Sequence, residues 1–94
     1  MNIYYVELFD YYGELFTDKQ KEYFMDYYFN NLTLQEIADN NNVSKNAVHK
    51  NIKDIVQKLD YYESVLNLNS NRKKIEELIK DIDVNIKEKI EELI

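Results

Sequence analysis

Cationic and hydrogen-bonding side chains crowd one stretch of an otherwise acidic chain, Ser44 to Gln57. Ser44, Lys45, Asn46, His49, Lys50, Lys53 and Gln57 are the residues there that could meet a nucleic acid. At about 100° per residue of helix, Asn46, Lys50, Lys53 and Gln57 project to one side, with His49 on their flank. The opposite side carries Val48, Ile52, Ile55 and Leu59. Lysines hold phosphates as point charges, whereas Asn46 and His49 offer hydrogen bonds to base edges in the major groove. Ser44 and the first amides of such a helix form a further place for a phosphate. There is no arginine on this face, so the bidentate guanine contact is absent. The same face would also serve as a plain solvated helix surface.

Other chemistries are poorly supplied. The chain has no cysteine and one histidine, His49. Thiolate nucleophiles and cysteine-ligated zinc are excluded, and no metal or other cofactor is expected. No glycine-rich phosphate loop exists, which argues against nucleotide hydrolysis. No catalytic grouping of nucleophile and base stands out, so an enzyme is not expected. The nine tyrosines read as packing residues, because acids are interleaved among Tyr4 to Tyr28.

The charge is distributed unevenly. The 94 residues carry a net of −6. Residues 1–31 hold a net of −4, whereas residues 44–59 set Lys45, Lys50, Lys53 and Lys58 against Asp54, a net of +3. A field of the overall sign repels nucleic acid, so DNA binding has to come from the local patch. No run of 18 apolar residues exists and the first ten residues carry no basic group. A membrane span and a secretory signal are therefore not expected, and the cytoplasm is the expected location.

The elements that must position this face are helical. With no proline and one glycine, the chain lacks the turn residues of an all-β fold, and an all-α protein is expected. Tyr5, Leu8, Phe9 and Tyr12 share one side of a first helix, which Gly13 should end in a left-handed cap. Thr17 to Gln20 and Thr33 to Glu36 both read as capping boxes. The first opens a helix with Tyr23, Phe24, Tyr27 and Tyr28 on its apolar side, closed by Asn30 and Asn31. Asn40 to Asn42 break the next helix, and Ser44 caps a long one whose stripe runs Val48, Ile52, Ile55, Leu59, Tyr62 and Leu66. Residues 33–59 therefore form a helix-turn-helix. In it Ala38 allows a close crossing, and Asn42 stands in the left-handed turn where glycine is usual.

Residues 1–66 read as one helical domain and residues 67–94 as a C-terminal amphipathic helical tail. Asn67 to Asn71 should be a loop. Ile75, Ile79, Ile82, Ile86, Ile90 and Leu93 fall on one side of the tail, either as one helix or as two broken near Asp83 to Asn85. The break is preferred because Asp83 and Asn85 are good caps. So apolar a tail suggests a homodimer, which would suit two DNA half-sites about one helical turn apart.

Several segments together resemble a known family. They are Tyr12 to Gln20, Leu34 to Ala38, Ser44 to Val48, Asn51-Ile52 and Leu59 to Glu63. They look like the YlxM-type proteins, small bacterial helix-turn-helix proteins similar to region four of sigma factors. The resemblance covers residues 7–66. The family's usual Ser-Arg-Gln-Ala-Val is Ser44-Lys45-Asn46-Ala47-Val48 here, its aspartate before Asn51 is Lys50, and its turn glycine is Asn42. The genes of that family typically lie beside those of the signal recognition particle protein Ffh and its receptor FtsY. The resemblance thus implies a regulatory role tied to that pathway. Two functions follow: a regulator that binds duplex DNA, or an accessory protein that binds the signal recognition particle through Ffh or its RNA.

Overall fold

A computed structural model describes residues 2–94. Six α-helices follow one another among them: α1 (Ile3–Tyr12), α2 (Asp18–Tyr28), α3 (Leu34–Asn41), α4 (Lys45–Leu66), α5 (Leu68–Ile79) and α6 (Val84–Glu91), with a short 3-10 turn (Gly13–Leu15) after α1. The protein is all-α, as its composition requires.

Both capping boxes form. Thr17 accepts from the Gln20 N–H while the Gln20 side chain accepts from the Thr17 N–H, and Thr33 and Glu36 do the same. Each pair satisfies two donors that a helix start otherwise leaves open. Helix α4 is the spine, against which α1, α2 and α3 all pack. Its Val48, Ile52, Ile55 and Leu59 are buried with Leu8 and Tyr12 of α1, Tyr23 and Phe24 of α2, and Ile37 and Ala38 of α3. Stacked rings join α1 to α2: the Phe9 and Phe24 centroids lie 4.1 Å apart, and within α2 Phe24 stacks on Tyr28 at 4.4 Å. The stripe fades towards its end, since Tyr62 is half-buried and Leu66 is exposed.

Two expectations are corrected. Gly13 is not left-handed: its φ is −56° and it continues α1 into the 3-10 turn. The position is closely packed instead. A Cβ there would lie 3.2 Å from the Phe9 ring. The loop expected over Asn67 to Asn71 is a single residue. Asn67, at φ 55°, ends α4, and α5 begins at Leu68. The isoleucine stripe of the tail is not uniformly covered: Ile79 is buried, Ile75 and Ile90 are half-buried, and Ile82, Ile86 and Leu93 are exposed. The break before α6 is present, with Asp83 accepting from the Asn85 and Ile86 N–H groups.

Candidate nucleic-acid interface

The site is built on the α3–α4 turn. Asn42 takes the left-handed conformation, φ 55° and ψ 42°, and its N–H reaches back to the Ala38 and Asp39 carbonyls. The Val43 N–H donates to the Ala38 carbonyl at 3.1 Å. Ala38 and Val48 are both fully buried, so the two helices meet without a large side chain between them. A second tie comes from α2. Lys19 donates to Asn41, and Asn41 in turn donates to the Ile37 carbonyl at 2.7 Å. These contacts fix the start of α4 against the rest of the domain.

Ser44 accepts from the Ala47 N–H at 3.0 Å, so its hydroxyl serves as the cap. The Lys45 and Asn46 amides remain first-turn donors at the positive end of the helix. Ser44, Lys45, Asn46, His49, Lys50, Lys53 and Gln57 are all exposed. Lys45 borders a groove formed with Tyr27, Leu32, Leu34 and Gln35. Gln57 borders another with Gln20, Asp54 and Lys58. The acid-free part of the face therefore runs from Lys45 to Lys53 and ends where Gln57 meets Asp54. One turn further, Asp60 accepts from the Tyr5 hydroxyl of α1 at 3.1 Å.

The lysines of this face differ from most other cations of the chain. Lys19, Lys21, Arg72, Lys73 and Lys80 each lie within ion-pair distance of a glutamate. Among the described residues, Lys45, Lys50, Lys53 and Lys58 form no such pair. Their charge is left for a partner, and pairing it with phosphates releases counterions from the nucleic acid.

A polar cluster that periodicity does not reveal sets the far end of α4. Glu63 is 8% exposed and accepts from the Tyr12 hydroxyl at 2.6 Å and from the Asn69 and Ser70 N–H groups at 3.1 and 3.0 Å. The Tyr12 oxygen accepts from the Leu68 N–H at 3.2 Å. A carboxylate from α4 and a phenol from α1 thus cap the first turn of α5 in place of a local side chain. Burial pushes the Glu63 carboxyl upward. The hydrogen bonds from Tyr12, Ser70 and Asn69, with Lys73 nearby, outweigh burial and hold it below its ordinary value. Burial, then the bond to Glu63, pushes the Tyr12 phenol up to about 12. On the rim, Glu7 accepts from Lys73 at 3.1 Å and from Asn69 at 3.3 Å. The bond to Lys73 is the main cause of its lowered pKa. The sequence signal was the place of Glu63 itself, four residues after Leu59 on the buried side of α4.

Comparison with known proteins agrees with this architecture. Residues 1–94 match the family UPF0122, described as "Putative helix-turn-helix protein, YlxM / p13 like". The chain belongs to the UPF0122 family. Its relatives include the UPF0122 protein of Malacoplasma penetrans, 44% identical over 95 residues, covering 92% of this chain and 86% of the relative. The UPF0122 protein of Fusobacterium nucleatum is 41% identical over 88 residues, covering 93% and 85%. That of Listeria welshimeri is 37% identical over 82 residues, covering 87% and 74%. The resemblance read from residues 7–66 therefore extends along the whole chain, and UPF0122 membership agrees with the helix-turn-helix at α3 and α4.

Proposed function

We propose that the protein is a DNA-binding regulator that acts in the cytoplasm and lays the first turns of α4 along the major groove of duplex DNA. One observation carries the reading: Lys45, Lys50 and Lys53 stand exposed and without ion pairs on a recognition helix whose other side is locked into the core. In this reading the lysines hold phosphates, and Asn46 and His49 read base edges. Ser44 acts through its cap, which leaves the Lys45 and Asn46 amides for a phosphate, and Gln57 marks the edge of the footprint. Residues 1–66 are the binding module, and residues 67–94 are a tail whose first helix, α5, is tied to that module through Glu63, Tyr12 and Glu7. No catalytic step and no cofactor enter the mechanism.

The acidic surface of residues 1–31 favours a second reading, in which that surface meets a basic partner. The protein would then be an accessory of the signal recognition particle, binding Ffh, or its RNA through the same lysines. Selection of fragments from genomic DNA, run beside a pull-down with purified Ffh and its RNA, separates the two. Enrichment of a common duplex sequence, lost in the Lys50→Glu/Lys53→Glu variant, supports the regulator. Retention of Ffh with no enriched sequence overturns it in favour of the accessory role.

A further inference from the structure

The tail is only partly covered by its own chain. The molecule measures 53 × 25 × 19 Å with a radius of gyration of 16.6 Å, against roughly 12 Å for a compact chain of this length. Helix α6 has eight residues and buries none of them. The chain after α6 folds back only as far as a groove where Leu93 and Ile94 meet Tyr11, Leu68 and Ile75. Leu78 of α5 is 80% exposed, and Ile82, Val84 and Ile86 around the bend into α6 are exposed as well.

The charges around Leu78 say what would cover it. Arg72 and Lys73 lie within ion-pair distance of Glu7, and Lys80 pairs with Glu77. Lys74 and Asp81 take part in no ion pair among the described residues. They stand four residues before and three after Leu78, on the same outward side of the helix and the turn that ends it. Lys73, Lys74, Glu77 and Leu78 line an open depression there. A patch that carries a leucine between one cation and one anion is complementary to itself when turned through a two-fold axis.

We propose that this surface joins two copies of the chain, with α5 antiparallel to the partner's α5 across a two-fold axis at Leu78. Leu78 then meets its own counterpart, and Lys74 of each copy faces the other copy's Asp81. The exposed apolar residues of the bend close over the seam, so that α5 and α6 of both copies form a small four-helix packing. A strongly acidic or basic partner would attract one of the two charges and repel the other.

Sedimentation velocity on the full chain tests this. The wild type is expected at twice 11.4 kDa at high concentration. Leu78→Asp should raise the dissociation constant by roughly tenfold or more. Lys74→Glu and Asp81→Lys should each weaken the dimer, and the two combined should restore it, while circular dichroism keeps the same helix content. A wild-type chain that stays monomeric at every concentration overturns the proposal. So does a dimer indifferent to Leu78→Asp, or a double charge swap no tighter than the single ones. The DNA face does not include these residues. A monomeric variant that still binds duplex DNA therefore separates failure of the dimer from failure of the DNA reading.

Discussion

Asn42 stands in a left-handed conformation at φ 55°. A side chain with a Cβ is strained there, asparagine less than most. Asn42→Gly should leave stability unchanged or raise it, and Asn42→Ala should cost about 1 kcal/mol, both read from urea unfolding. The caps at Thr17, Thr33 and Ser44 were equally legible, because each is a local matter of three or four residues. Gly13 was not, since the Phe9 ring packed against it is set by the packing of α1. The Tyr12–Glu63 pair was hidden for the same reason: its partners are 51 residues apart. Tyr12→Phe removes one buried bond to a carboxylate and should cost about 2 kcal/mol. The pair also predicts a dependence on pH. The carboxyl of Glu63 is lowered in the folded chain, so its contribution is present above the ordinary value of 4.5 and is lost as pH falls through the folded value. Tyr12 is raised, so its contribution is complete below 10 and is lost as pH rises towards about 12. Thermal melts of the wild type and Glu63→Gln should therefore converge in acid and separate near neutrality; parallel curves would contradict this account of the carboxylate.

Helix boundaries came from caps and faces from apolar spacing, and both served well from α1 to α4. They failed at the α4–α5 joint. Four polar residues around Leu68 between Asn67 and Asn71 read as a loop, yet one left-handed residue suffices when Glu63 and Tyr12 supply the missing cap from elsewhere. Isoleucine spacing placed a stripe on the tail but could not tell what covers it. At the α3–α4 crossing the small side chain is the requirement. Ala38→Leu should overpack it and cost about 1–3 kcal/mol, visible as a lower denaturant midpoint. Thr33→Ala should remove half of one capping box for about 1 kcal/mol. Ala38→Leu should also weaken DNA binding in the folded protein, because it displaces the start of α4, read by fluorescence anisotropy titration.

Across the whole molecule, two charge patterns oppose one another. The net of −6 repels a polyanion, while the +3 of residues 44–59 attracts it at short range. Salt damps the long-range repulsion within about 10 Å at 0.1 M, but it also weakens each phosphate contact. The lysine face was readable from sequence because its charges and its apolar stripe share one helix; the fold added the bond between Asp60 and Tyr5 of α1 beyond its end. Titration of a selected DNA duplex across a range of salt, read by fluorescence anisotropy, counts the phosphates that the face neutralises. If Lys45, Lys50 and Lys53 each neutralise a phosphate, log K should fall with log salt at a slope of about −3, and Lys50→Gln/Lys53→Gln should reduce it to about −1. A wild-type affinity that does not change with salt, or a slope that the double variant leaves intact, would contradict the account.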